Sequence, residues 1–375
     1  EQKGSEKTAL TAALETVCPD AFDAALSRAA RQRQARLLAG IQAYRAHPYV
    51  RDVVDPPVVW RAGTTVLRDY GAVADLPADA PVVLCVPSLI NRAYILDLKA
   101  DKSLLRFLAG QGLRPLLVDW DTPGDAELAF SLDDYVAGRL DAALEVACEL
   151  AGGPVGVLGY CMGGTLAVAL AQRRRRDVAA LALLAAPWDF HGEQAEQARL
   201  LGTAAPMVEP LLESFRALPV DTIQMLFSGL DPHASVRKYL AFARLDPSSR
   251  RAGDFVALED WLNDGVPLPA AVARTCLYDW HGCNTPARRL WRVNGHAVDP
   301  ARIAAPSLVV VPSRDRIVPP GRAMTLGTEI PGAITWRPAL GHIGMVASHA
   351  ARDSLWRPLL TWLQEMLCTA PKKRC

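Results

Sequence analysis

From Val82 to Leu184 the sequence alternates short apolar runs with longer mixed ones, and that rhythm leaves few folds open. "PVVLCVPS", "PLLVDW", "VGVL" and "VAALALLAA" read as buried strands, and "SLVVVPS" resumes the series at Ser307. Between them lie helical patterns: "KSLLRFLAGQG", "SLDDYVAGRLDAALEVACELAGG" and "GGTLAVALAQRRRR". Ser131 suits an N-cap, with acids in the first turn and glycine after the last. Strands that are apolar throughout need cover on both faces. The prediction is therefore an α/β fold with a mostly parallel, doubly wound sheet. Upstream, "VVWRAGTTVLRDYG" predicts a hairpin turning at "AGTT". Ala9 to about Tyr49 predicts an amphipathic helical region.

The rhythm lapses between Asp189 and Arg302. This stretch is proline-rich, carries several tryptophans and reads as mainly helical. The expected organisation is an N-terminal helical region (1–50), a first core part (51–188), a helical cap insertion (189–302) and a second core part (303–375). A cap placed there would close over the carboxyl ends of the strands.

Charge excludes some partners. Lys+Arg is 41 and Asp+Glu is 40, so nothing favours nucleic acid. The longest apolar run, "VAALALLAAPW", is about half of the roughly 20 residues that a membrane span needs. The 8 cysteines are scattered without paired spacing, and the first ten residues are polar. A reduced cytoplasmic location is expected.

The chemistry centres on "VGVLGYCMGGT". A residue on a sharp strand-to-helix turn, with glycines two positions to either side, is the pattern of a nucleophile elbow. Here Gly159 and Gly163 flank Cys161. A helix N-terminus favours a thiolate, and the Met162 amide faces the place where an oxyanion would form. A thiol nucleophile needs a base and an orienting acid, in the chain order nucleophile, acid, histidine. Of the 7 histidines, His342 lies between glycines after the apparent last strand, "AITW". His349 lies further on, in an expected last helix. Asp315, just beyond "SLVVV", is the preferred acid, and Asp189 is its competitor. The second oxyanion donor is expected from the loop "PSLINRAYILDL", at the amide of Ser88 or Leu89. Arg173 to Arg176 read as a solvated helix end. Cys276, His281 and Cys283 lack zinc-site spacing, so no metal is expected. Trp261, Trp280 and Trp291 are expected to pack in a core.

Taken together, "PSLINRAYILDL", "SLDDYV", "GVLGYCMGGT", "VNGHAVDPARIAAPSLVVVPSRDRIVPP", "GHIGMV" and "LWRPLLTWL" resemble the polyhydroxyalkanoate (poly-3-hydroxybutyrate) synthases. The likeness is to the short forms of that family. It implies an α/β-hydrolase fold and maps the family's catalytic triad onto Cys161, Asp315 and His342. It also implies an acyltransferase that polymerises 3-hydroxyacyl-CoA through a cysteine thioester. The CoA thioester is then a substrate, and no cofactor is called for. A growing polyester chain, a homodimer or partner subunit, and a polymer-granule surface are the implied partners. The cap departs from the synthase patterns. That keeps open a cysteine hydrolase: an intracellular polyester depolymerase, esterase or thioesterase.

Overall fold

The computed structural model describes residues 12–13, 17–229 and 231–368. The chain divides into two compact units, one made of 1–50 with 231–258, the other of 51–230 with 259–375.

In the smaller unit a helix runs Pro19–Arg45, with proline at its start. The amphipathic pattern expected from Ala9 is thus a helix only from Pro19 among the described residues, apart from a short helical piece at 12–13. Gly40 is its one buried residue. A Cβ there would stand 2.2 Å from the Tyr239 carbonyl oxygen, so glycine is what lets the helix Ala234–Phe242 come so close. Phe242 and Phe255 stack with centroids 4.4 Å apart. Ala252, Val256, Ala43 and Tyr44 complete this small core. The stretch 189–302, expected as one insertion, is therefore split between the units, with 231–258 joining the N-terminal helix.

The larger unit is built on an eight-stranded sheet. Its strands are β1 (Val58–Ala62), β2 (Thr65–Asp69), β3 (Val82–Val86), β4 (Arg114–Asp119), β5 (Val155–Tyr160), β6 (Val178–Leu184), β7 (Ser307–Val310) and β8 (Ile334–Trp336). The spatial order is β1-β2-β4-β3-β5-β6-β7-β8. β1/β2 is the expected hairpin, and β2 also runs antiparallel to β4. Every other pairing is parallel. All of β3 and β5 is buried, as continuous apolar runs require.

The glycine cue at the end of the long helix is met, whereas the Ser131 hydroxyl donates to a carboxylate instead of accepting from a helix amide. The Asp134 carboxylate accepts from both the amide and the hydroxyl of Ser131, at 2.8 Å each. Gly152 ends the same helical stretch in a left-handed conformation, φ 65°. The first turns of that stretch, Asp134–Leu140, are wound wider, as a π-helix. The helix Met162–Arg173 is buried from Met162 through Ala171, so it shows little amphipathic pattern. Its far end carries the ion pairs Arg173–Asp141 (2.9 Å) and Arg174–Asp177 (2.7 Å).

Trp188, Trp280 and Trp291 pack edge to face, with Trp280 and Trp291 centroids 5.2 Å apart. Trp261, Trp280 and Trp291, the three expected in a core, are all buried. Among the described residues, no helix is long and apolar enough to cross a membrane.

Candidate active site

Because β3 lies between β4 and β5, the strand order reverses there, and the chain leaves β3 and β5 towards neighbours on opposite sides. Cys161 stands at that point, directly after β5. Its backbone is strained, with φ 55° and ψ −130°. The surroundings hold it there. The Cys161 amide donates to the Leu184 carbonyl (2.9 Å), and its own carbonyl accepts from the Gly164 amide (2.8 Å).

Three glycines make the turn possible. A Cβ on Gly159 would lie 2.5 Å from the Gly164 Cα, and one on Gly164 would lie 2.4 Å from the Ala186 Cβ. A Cβ on Gly163 would lie 2.2 Å from the Val86 oxygen and 2.4 Å from the Pro87 oxygen. The helix N-terminus is therefore pressed against the loop that leaves β3. The Trp120 indole donates to the Pro87 carbonyl at 3.1 Å and fixes that loop from its other side. Ser88 and Leu89 come next in it. The Ser88 hydroxyl accepts from the Ile90 amide at 3.1 Å, and Leu89 is buried. Met162 is the first helical residue, whose amide has no partner within the helix.

Asp315 and His342 meet beside the cysteine. The His342 Nδ1 donates to Asp315 Oδ2 at 2.7 Å, and the other carboxylate oxygen accepts from the amides of Ile317 and Val318, each at 2.8 Å. The carboxylate is wholly buried and both of its oxygens are hydrogen-bonded, so it orients the ring. With the Nδ1 proton assigned to Asp315, Nε2 is left to face the side on which Cys161 acts on the ring. Burial alone would pull the imidazole down. The Cys161 charge, the hydrogen bonds to Asp315 and Cys161, and the Asp315 charge outweigh it and raise His342 to about 10. Those contacts favour the imidazolium form of His342. Cys161 is half-buried.

The competing residues lie elsewhere. Asp189 Oδ1 accepts from the amides of His191 (3.1 Å) and Gly192 (3.0 Å) and from Asn284 Nδ2 (2.8 Å). It caps its own loop and is not the partner of His342. His349 is exposed, in a turn ahead of the last helix rather than within it. His281 Nδ1 engages the Cys276 carbonyl at 2.8 Å, while Cys276 is buried and Cys283 exposed. Among the described residues, no three His, Cys, Asp or Glu side chains are grouped to hold a metal ion.

Two features went unread in the sequence. The Tyr160 hydroxyl donates to the His342 carbonyl at 3.3 Å, and the two rings lie 5.2 Å apart. The aromatic residue just before the nucleophile was the available signal. Arg92, in the loop after β3, pairs with Asp121 (2.5 Å) and Asp264 (3.2 Å), and its carbonyl accepts from the Trp261 indole (2.9 Å). No local pattern foretells that pairing.

Comparison with known proteins agrees with this architecture. The chain is similar to the poly(3-hydroxyalkanoate) polymerase subunit PhaC of Haloferax mediterranei, at 28% identity over 82% of this chain and 63% of the relative. It is also similar to the subunit of that name from Synechocystis sp., at 26% identity over 82% of this chain and 83% of the relative. The chain thus spans under two thirds of the Haloferax protein's length and most of the Synechocystis one. Among solved structures, a putative non-heme bromoperoxidase from Mycobacterium tuberculosis shares the fold. Its TM-score is 0.52 and its identity 15%, covering 85% of this chain and 99% of the other. A model of the N-terminus of poly-beta-hydroxybutyrate polymerase matches residues 53–108. The resemblance to polyhydroxyalkanoate synthases read from the ordered motifs is borne out by these relatives. The alpha/beta hydrolase fold model matches residues 81–337, well over half of the sequence, and the chain belongs to that family.

Proposed function

We propose that this protein is a polyhydroxyalkanoate synthase: an acyltransferase that polymerises 3-hydroxyacyl-CoA through a covalent thioester on Cys161. One observation carries the reading. A cysteine occupies the strained elbow, within reach of a buried His342–Asp315 pair.

His342 Nε2 takes the thiol proton, and the sulfur attacks the thioester carbonyl. The oxyanion then forms opposite the amides of Met162 and of Ser88 or Leu89. Collapse breaks the carbon–sulfur bond to CoA, and His342 returns the proton to the departing CoA sulfur. What remains is an acyl thioester on Cys161. Exchange of one thioester for another is nearly isoenergetic, so the acyl group stays activated. A hydroxyl at the end of a second hydroxyacyl unit then attacks, giving up its proton to His342. The ester link forms and the cysteine is freed. His342 is the better base for this step, because both oxygens of the buried Asp315 carboxylate are already hydrogen-bonded, one of them to His342 itself.

Water must be kept out of the second step. Residues 259–265 support a covering role. The Trp261–Arg92 and Arg92–Asp264 contacts and the Asn91–Gly265 bridge bind this segment to the loop after β3. The relatives are named polymerase subunits, so an assembly, either a homodimer or a complex with a partner subunit, belongs to the same proposal. So do a cytoplasmic location and attachment to the polymer surface. The hydrolase alternative is not favoured, since the relatives are named polymerases.

Incubation with 3-hydroxybutyryl-CoA tests the proposal. CoA release with ester-linked oligomer as product is expected, abolished in Cys161→Ala. CoA release with only free hydroxyacid would replace the synthase by a hydrolase.

A further inference from the structure

We infer that Tyr160 is a positioning residue, whose hydroxyl and ring together hold the His342 imidazole in line with the Cys161 sulfur. This rests on the Cys161–His342–Asp315 reading above.

Tyr160 is the last residue of β5, one step before the elbow, and its side chain is buried. A buried tyrosine hydroxyl needs a partner. This one finds the backbone carbonyl of His342, at 3.3 Å. The same ring lies against the imidazole, with centroids 5.2 Å apart and planes tilted by 36°. The histidine is therefore held at two points by one side chain, and the residue that carries it is joined to Cys161 by a peptide bond. Any movement of the elbow carries Tyr160 with it, and His342 follows. Asp315 fixes the far edge of the imidazole, and Tyr160 fixes its face and its main chain.

Other contacts secure the histidine loop only at a distance. The Trp356 indole donates to the Met345 carbonyl, and the Arg314 amide to the Leu340 carbonyl. Neither touches the ring. Burial, followed by the nearby Cys161 and Asp315 charges, pushes the Tyr160 phenol well above its ordinary value, so it remains a donor. An aromatic face also favours a cation beside it, which suits an imidazolium.

The test uses the full-length protein and the variants Tyr160→Phe, Tyr160→Leu and Cys161→Ala. Four readouts are taken: kcat and KM for CoA release, the rate of Cys161 alkylation by iodoacetamide, and thermal unfolding. Tyr160→Phe keeps the ring and loses the hydroxyl. It should lower kcat by about tenfold with KM nearly unchanged, because misplacing a catalytic group is costly in rate. Alkylation at neutral pH should slow by a similar factor, since it too needs the imidazole beside the sulfur. Tyr160→Leu loses the ring as well and should slow both further.

Wild-type kcat and wild-type alkylation in Tyr160→Phe would overturn the inference. A loss of rate matched by an equal loss of folded protein would overturn it too, leaving only a packing role. Full activity in Cys161→Ala would instead remove the triad reading, and this inference with it.

Discussion

Gly163→Ala probes the joint between nucleophile and oxyanion loop. The new Cβ would sit 2.2 Å from the Val86 oxygen and 2.4 Å from the Pro87 oxygen, whereas real Cβ contacts essentially never fall below 3.0 Å. Both atoms are backbone and cannot rotate aside. The loop must retreat from the helix by about 0.8 Å, the difference between that limit and the present spacing. Ser88 and Leu89 follow directly and move with it.

Losing one oxyanion donor costs roughly 10²–10³ in kcat, and a 1 Å misplacement is worth about 10². The expectation is a fall of about 100-fold in kcat for CoA release, with little change in KM. Overpacking should also destabilise the fold by about 1–3 kcal/mol. Gly138→Ala is the control, because nothing lies within 4 Å of its added Cβ. It should leave activity at the wild-type level. Alkylation of Cys161 by iodoacetamide develops no oxyanion and should change by no more than about threefold in Gly163→Ala, far less than an oxyanion donor is worth. Wild-type turnover in Gly163→Ala would refute the reasoning. So would an equal fall in alkylation and turnover, which would place the damage at the thiol rather than at the oxyanion loop.

Asp315→Asn can still accept from the Ile317 and Val318 amides but presents an amide to His342 Nδ1, so the ring takes the wrong tautomer. By analogy with serine-protease triads, kcat should fall about 10³–10⁴-fold with the fold intact, measured by CoA release and circular dichroism. His342 also makes stability depend on pH. Its folded value, about 10, lies above that of the unfolded chain, so protonation favours folding. That contribution is fully present below about 6.5, the ordinary histidine value, and is lost as pH rises towards 10. The gap in melting temperature between wild type and His342→Ala should therefore narrow from pH 6 to pH 10; a constant gap would contradict the ion pair. Gly40→Ala would drive a Cβ to 2.2 Å from the Tyr239 oxygen. It should destabilise the smaller unit by about 1–3 kcal/mol, visible by calorimetry, and an unchanged melt would mean the helices can part without cost.

The sheet was legible because its strands are buried on both faces, so "VVLCV" and "VGVLGY" cannot be amphipathic. The proximity of Cys161, Asp315 and His342 was legible for a related reason. Each follows a strand of a parallel sheet, and the carboxyl ends of such strands share one edge. What stayed hidden depends on contacts between distant parts of the chain. Nothing near Gly40 announces Tyr239, and nothing near 231–258 announces that it packs with the first helix. The widened helical turns at Asp134–Leu140 and Thr275–Gly282 follow no change of period that the sequence displays. Tyr160 lies inside "GYCMGG", but that motif does not show its role. Its role needs the His342 carbonyl, which lies 182 residues further along.

The central claim is that the acyl group is carried on the sulfur of Cys161. Rapid acid quench after mixing with 3-hydroxybutyryl-CoA, followed by peptide mass spectrometry, tests it most directly. The account predicts hydroxybutyryl groups, singly and as short ester-linked chains, on the peptide that contains Cys161, and none in Cys161→Ala. Turnover without an adduct on that peptide, or with the adduct on another residue, would contradict it.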